Sequence, residues 1–510
     1  MKKGATLKDI TKVASATMGS RVLGLVRDQI AFAILGVGVL NSAFLFAFTL
    51  PNLFRRLLGE GALTSAMIPV LTSVKTRGGQ AAAFEFLNKV ISRAFIIMAV
   101  ITILAVAVSL IYSQYFADTE RYLRGAQFTA LLFPYMILIC LAAVFAGALN
   151  VMGIFGIPSL GPILLNVAMI ASLLIGYFTY GDDALGTVLM GCYGVLIGGV
   201  LQFAVPAYFL HRHGWRFKFC LAPSHELSEL MRLFTPALMG AAVIQINIVV
   251  SKFLAFGIDN TSLSALYLSS RLVELPLGVF TIAIATVYFP KLSLLSERQD
   301  SGSFAAEYRR SLLTTLAITV PATAGLVVLS TDVLEFLFAW GQFNSADVAL
   351  CAPILVASVI GMPIYSISTF ATRGFHSRKD MRTPLKISVA ALAANVIFCL
   401  LLIKPYGAVG LALANVFAAA LQAVLLSTLL RKKMLRLNSL GEVVKILFAS
   451  AVMAALILVL KHLSGGYLTG KTLAAINCAL LIPAGGLAYF VILRVLKFEQ
   501  ITDLIKVFKK

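Results

Sequence analysis

Long uncharged apolar runs recur along nearly the whole chain. The run 94–117 meets no charge until Asp118, 311–331 lies between Arg310 and Asp332, and 125–181 is uncharged throughout. A helix needs roughly 20 apolar residues to cross the hydrocarbon layer. Dividing the longest runs where Gly and Pro cluster, as over 153–162, predicts transmembrane helices at 13–35, 40–72, 94–117, 126–151, 158–180, 185–210 and 233–258. Seven more follow at 262–294, 311–331, 346–372, 384–403, 407–430, 443–463 and 472–495. The fold class expected is an all-α polytopic membrane protein with about 14 transmembrane helices. The stretches 40–72 and 262–294 are longer than a bilayer requires and must tilt, bend or protrude.

Composition agrees with this reading. The 510 residues are 60% hydrophobic and 13% charged, where a soluble domain carries about 25% charged residues. The net charge of +20 would suggest nucleic acid in a soluble protein, but here it follows from loop lysines and arginines, and no nucleic-acid partner is expected. With the N-terminus cytoplasmic, the cytoplasmic segments hold 31 of the 42 Lys and Arg, the opposite loops hold five, and six lie inside spans. That asymmetry places both termini in the cytoplasm. The first apolar stretch carries Arg21, Arg27 and Asp28, which a cleavable signal segment would not tolerate. The six cysteines are spread singly and read as small core residues, with no metal site among them.

The chain also repeats itself. Residues 43–69 read AFLFAFTLPNLFRRLLGEGALTSAMIP and 265–290 read ALYLSSRLVELPLGVFTIAIATVYFP; each carries Arg, then Glu, then a closing Pro. Leu201-Gln202 matches Leu421-Gln422, and the offset is about 220 residues each time. An even number of spans separates the copies, so they share orientation, as in two-lobed transporters. The expected organisation is a first lobe over 1–218, a second over 219–436, and a segment 437–510 holding helices 13 and 14. Because that pair lies outside the repeat, it reads as an appendix, and a chain ending near residue 440 would fold without it.

Charges inside the spans are the candidates for chemistry. An Arg at mid-bilayer costs about 2.5–3.5 kcal/mol, and five would cost about 12–17 kcal/mol. Such groups need a wet cavity, a partner carboxylate or an anionic ligand. The first span reads SRVLGLVRDQI: Arg21, Gly24 and Asp28 share one helical face, and Arg27 points about 120° from Arg21. The alternative is a purely structural pairing of Asp28 with either arginine. The second span reads LPNLFRRLLGEGAL, with a kinking Pro51, an Arg56–Glu60 pair at i,i+4 and Arg55 without a local partner. Both arginines could instead snorkel to an interface. In SSRLVELPLG, Arg271 and Glu274 share a face just before Pro276. Lys252 is a lone span cation that reads equally as a packing or a functional residue. The basic stretch TRGFHSRKDMRTPLK (372–386) sets topology and would also attract anionic headgroups. Guanidinium forks suit a diphosphate first and a carboxylate next. No phosphate-binding loop, HExxH or nucleophile elbow occurs, so no enzymatic activity and no cofactor are expected.

At these residues the chain resembles the MurJ (MviN) lipid II flippases of the multidrug/oligosaccharidyl-lipid/polysaccharide exporter superfamily. The stretches that carry the resemblance are SRVLGLVRD, then LPNLFRRLLGEGALTSAMIPVL, SSRLVELPLGVF and GFHSRKDMRTPLK, in that order along essentially the whole chain. The resemblance implies two six-helix lobes around a central cationic cavity and a groove on helices 13 and 14 for an undecaprenyl tail. It implies alternating-access export of lipid II, the undecaprenyl-diphosphate-linked disaccharide-pentapeptide, across the bacterial inner membrane, in the company of membrane lipids and cell-wall synthesis proteins. It places substrate binding on Arg21, Arg27, Arg55 and Arg271, with Ser20, Asp28, Arg56, Glu60 and Glu274 in support. Two acids common in the family are absent: Ser42 stands for one, and Ser269-Ser270-Arg271 replaces Ala-Asp-Arg. A flippase for another polyprenyl-diphosphate-linked glycan is the alternative, and a drug/cation antiporter, which needs an acidic cavity, ranks below it.

The charge count yields a topological prediction. A cysteine placed at residue 120 should react with an impermeant thiol reagent from outside the cell, and one in the 211–232 loop only after the membrane is opened. Labelling of residue 120 from the cytoplasmic side would reverse the orientation.

Overall fold

The computed structural model describes residues 3–432, 439–464 and 470–501. Among them the chain is helical with no strand. Ten helices are long and apolar enough to cross a membrane, or eleven if Glu120–Leu132 and Tyr135–Val151, bent by 41° at Phe133–Pro134, make one span. Each of the fourteen predicted segments falls on helical backbone. Two pairs of them run together in Leu63–Tyr115 and Arg382–Lys432, broken only at left-handed Gly79 (φ 75°) and Gly407 (φ 52°). The first two segments are missing from the ten for physical reasons. Lys3–Leu35 carries Arg21, Arg27 and Asp28 across its middle, and the second is interrupted after Phe54. The protein is a multi-pass membrane protein.

Two compact units emerge. The first comprises Met1–Phe256 with Trp340–Gln342, the second Gly257–Ala339 with Phe343–Lys510. In the first, Phe46 stacks on Phe256 with ring centres 4.3 Å apart, so the helix His225–Ile258 packs here although it follows the residue-218 boundary read from the repeat. Gln202, buried on Ala184–Arg212, donates to the Gly161 carbonyl (2.8 Å) and accepts from the Tyr135 hydroxyl (3.1 Å). In the second unit Gln422 donates to Ser388 Oγ (3.1 Å). The repeated glutamine thus ties adjacent helices within each unit.

The backbone repeats as well. The helix end at Met152–Ile154 makes the bonds Met152 N to Leu149 O, Gly153 N to Asn150 O and Ile154 N to Leu149 O. Arg378, Lys379 and Asp380 make the same three bonds to Phe375, His376 and Phe375. Gly153 (φ 85°) and Lys379 (φ 61°) hold the left-handed position in this turn, which satisfies the last helical carbonyls. Gly181 and Gly407 form a second left-handed pair with the same spacing of 226 residues (153 to 379, 181 to 407).

Helices Leu440–Ser464 and Gly470–Val495 are packed into the second unit, not appended to it. They lie against Ser301–Val328 and Ser330–Phe338, and the buried Tyr489 hydroxyl donates to Ala317 O (2.8 Å). Asp332, also buried, takes its partners Lys461 and Asn477 from these two helices. Removing the pair would take away the cationic partner of Asp332 and uncover the faces of Ser301–Val328 and Ser330–Phe338 that the two helices cover, a destabilising change. A chain ending near residue 440 is therefore expected to misfold, which reverses the expectation drawn from the repeat.

Close approach makes one glycine testable. A Cβ on Gly410 would lie 2.2 Å from Leu402 O, whereas one on Gly486 would meet nothing within 4 Å. Gly410→Ala should destabilise the protein by about 1–3 kcal/mol, as overpacking does. Gly486→Ala should be neutral or stabilising by up to about 1 kcal/mol. Thermal unfolding in detergent separates them; equal midpoints would contradict the packing around Gly410.

Candidate cation-bearing transport site

In the first unit the site is built on four helices. Arg27 and Asp28 are both buried, on Lys3–Leu35. Asp28 Oδ1 accepts from Arg27 Nη2 (2.6 Å) and Nε (3.1 Å), and Arg27 Nη1 donates to Asn166 Oδ1 (3.2 Å). Asn166, on Gly161–Tyr180, donates from Nδ2 to the Ser20 carbonyl (3.1 Å). One amide therefore braces the first helix at two levels, reaching both Ser20 and Arg27. Of the two arginines that the sequence offers as partners for Asp28, the structure selects Arg27. Arg21 lies on the exposed side of the same helix, and no hydrogen bond or ion pair holds it among the described residues.

The second element of the site is a backbone defect. The helix Val39–Phe54 contains Pro51, which cannot donate, and passes into a π-helical turn over Arg55–Ala62. Asn52 Nδ2 donates to Phe48 O (3.0 Å), and Asn52 Oδ1 accepts from Arg55 Nε (3.0 Å). The residue after the proline thus supports the helix and aims the arginine. One turn earlier Thr49 Oγ1 accepts from Lys252 Nζ (3.2 Å). Thr49 and Asn52 are three residues apart on one face, so Lys252 and Arg55 are gathered along the same side of this helix. Arg55 is half-buried and Arg56 exposed. The side chain of Glu60 lies outside the described residues, and with it the expected Arg56–Glu60 pair.

The second unit carries a matching arrangement. Helix Ser262–Pro276 ends at Pro276 and gives way to a π-helical turn over Leu277–Thr281. The two π turns begin at Arg55 and Leu277, 222 residues apart (55 to 277), at equivalent points of the repeat. Such turns are rare and concentrate at functional sites. Just before the second, Arg271 donates from Nε to Tyr267 Oη (3.0 Å) and lies 5.2 Å from the centre of that ring. It also pairs with Glu274 (3.2 Å), as the i,i+3 spacing predicts. That pair is partly open, with 37% and 58% of the two side chains exposed, so its contribution is small. Ser270, where the family often has an acid, turns its hydroxyl back to Leu266 O (2.8 Å), and Ser42 is fully buried.

The candidate residues thus divide into two kinds. Arg27 and Asp28 form a buried, braced ion pair. Arg21, Arg55 and Arg271 keep partial or full exposure inside or beside apolar helices and can offer donors to an anion. Sequence reasoning left Lys252 undecided and did not single out Asn52, Thr49, Asn166 or Tyr267. The one legible signal was an Asn directly after Pro51; Asn166 and Tyr267 are single polar residues in apolar runs, and only packing gives them a role.

A family described as lipid II flippase MurJ matches residues 31–477. A probable lipid II flippase MurJ of Haemophilus influenzae is 34% identical over 429 residues, covering 80% of this chain and 83% of that protein. One of Bdellovibrio bacteriovorus is 30% identical over 510 residues, covering 97% and 96%. The solved structure of a lipid II flippase MurJ in an inward closed conformation superposes with a TM-score of 0.79 at 27% identity, covering 95% of this chain and 98% of that one. An inward-facing multidrug resistance transporter of the MATE family shares the fold at 14% identity, with a TM-score of 0.64 and coverage of 83% and 98%. On the extent of the family match and the identity to these relatives, the chain belongs to the lipid II flippase MurJ family.

Proposed function

We propose that this protein moves lipid II from the cytoplasmic to the periplasmic leaflet of a bacterial inner membrane, as a transporter and not as an enzyme. The observation that carries the reading is the placement of accessible guanidinium groups on otherwise apolar helices, Arg21 and Arg55 in one unit and Arg271 in the other. A guanidinium engages a diphosphate through two parallel hydrogen bonds and keeps its charge at any physiological pH. Lys252 adds a point charge at Thr49, one turn from the Asn52 that holds Arg55. Release requires that the anion be held less tightly in one facing state than in the other. Alternating access, with these cations presented first to one side and then to the other, meets that requirement. The apolar faces of Leu440–Ser464 and Gly470–Val495 suit the polyprenyl chain. The Lys and Arg asymmetry supports cytoplasmic termini, and cell-wall synthesis proteins are the natural neighbours of such a step.

Depletion in the native host tests the substrate. Lipid II should accumulate in the cytoplasmic leaflet, measured by extraction and by access to a cell-surface probe. Accumulation of another polyprenyl-diphosphate-linked glycan in its place would identify a different flippase of the same superfamily.

The two kinds of arginine should respond differently to substitution. Arg21→Ala, Arg55→Ala and Arg271→Ala should insert normally yet lower flipping at least about tenfold, since a charge-assisted hydrogen bond contributes about 1.5–3 kcal/mol. Lys at these positions should restore flipping in part. Arg27→Ala should instead lower the amount of folded protein, because Asp28 is left buried without its main partner, and Asp28→Asn in the same chain should restore it. Normal flipping by all three exposed-site Ala variants would sink the cationic mechanism.

A further inference from the structure

The two copies of one repeated helix differ in a way that bears on the last two helices. The first copy is the part of Leu63–Tyr115 beyond Gly79, and the second is Ser301–Val328, entered just after left-handed Gln299. The first copy exposes Ile97, Val100, Ile103, Leu104, Val108 and Ile111, as a helix facing lipid does. The second buries Ser311, Thr314, Thr315 and Thr319 completely. Each of these hydroxyls is turned back to a carbonyl of its own helix, at 2.8–3.1 Å. Short side chains whose donors are already satisfied allow close packing without a polar penalty, and Leu440–Ser464 lies along this helix.

Polar ties hold the pair at three levels. At one end Asp332 accepts at Oδ2 from Lys461 Nζ (2.5 Å) and at Oδ1 from Asn477 Nδ2 (2.6 Å). Lys461 spends its remaining donors on Thr331 Oγ1 (3.2 Å) and Val328 O (3.3 Å), and Asn477 Oδ1 accepts from Ser464 (3.0 Å). Tyr489 to Ala317 O is the middle tie. At the other end Glu442 pairs with Lys445 (2.6 Å) and accepts from the Glu499 backbone N–H (3.2 Å), while Glu499 pairs with Arg309 (2.7 Å). Of these, the first joins a charge buried in the lobe to a cation and an amide that the added helices supply, with the neighbouring Thr331 hydroxyl making a longer bond of 3.5 Å to the same carboxylate. Asp332 and its partners are thus complementary in charge, in donor count and in burial.

We propose that Asp332, Lys461 and Asn477 form a lock that makes Leu440–Ser464 and Gly470–Val495 part of the second unit's rigid body. The pair then follows that unit through the transport cycle and does not swing independently. The mechanical half of this inference stands on packing alone, and the transport half rests on the function proposed above. Cys478, buried beside Asn477, is a native reporter of the lock. Cys140, Cys192, Cys351 and Cys399 are also buried, so Cys220→Ser gives a suitable parent.

In proteoliposomes of that parent, Lys461→Met should raise the rate of Cys478 modification by N-ethylmaleimide at least tenfold and lower lipid II flipping at least fivefold. Adding Asp332→Asn removes the stranded charge and should return both values to within twofold of the parent. If Lys461→Met alone does not accumulate, recovery of a folded, protected and active double variant still supports the lock. Cys478 remaining protected in Lys461→Met, or a double variant as reactive as the single, would overturn it. Opening of Cys478 with undiminished flipping would remove its place in the cycle. A parent that does not flip lipid II would refute the proposed function and leave the thiol measurement to judge the lock.

Discussion

Within a hydrocarbon layer no water can rescue an unpaired polar group, so every donor, acceptor and charge must find its partner inside the protein. The Arg27–Asp28 pair is the sharpest case. Two full charges sit side by side in the first helix, nearly closed to solvent, and are braced by Asn166 from another helix. The attraction between them does little more than offset the cost of taking both out of water. What the pair contributes is registry: with Asn166 also holding the Ser20 carbonyl, the first helix cannot slide or rotate without stranding a charge. Arg21 on that helix is thereby presented in one direction.

The same constraint explains how the two π turns are tolerated. A proline removes a backbone donor and opens the hydrogen-bond ladder. Next to Pro51 the Asn52 amide adds a bond to the Phe48 carbonyl (3.0 Å), and after Pro276 the Thr281 hydroxyl pairs with that of Ser366 (3.0 Å). Each defect has a polar side-chain bond beside it, and each stands near an arginine that remains partly accessible. The backbone plan is shared between the units, but the side chains have diverged. Near the turn at Gly153, Lys75 donates to Val151 O (3.1 Å); near the matching turn at Lys379, that residue pairs with Glu297 (3.3 Å). The same corner is closed by a lysine to a carbonyl in one unit and by an ion pair in the other.

Ser42 and Ser270, where the resemblance implies acids, also fit this picture. Ser42 is wholly enclosed and Ser270 is satisfied by its own helix, so neither position strands a polar group. Arg271 instead has an aromatic ring and a partly open glutamate for company. The pair leaves the Arg271 guanidinium partly accessible.

Much of this architecture was legible in the sequence because the governing signals are local. Apolar run length marks the helices, and the recurrence of Arg, Glu and Pro in the same order roughly 220 residues later marks the repeat. The i,i+3 spacing alone was enough to pair Arg271 with Glu274. Partner choice across helices was not legible. Asp28 had two arginines within reach along the chain, and packing against Asn166 decided for Arg27. Lys252 looked isolated until Thr49 was brought to it across 203 residues. Helices Leu440–Ser464 and Gly470–Val495 looked like an appendix because they have no copy in the first lobe, yet Asp332 finds Lys461 and Asn477 there. Periodicity and charge along the chain report what each segment must avoid exposing; which distant group satisfies a buried charge depends on how helices are rotated against one another, and only the folded chain sets that.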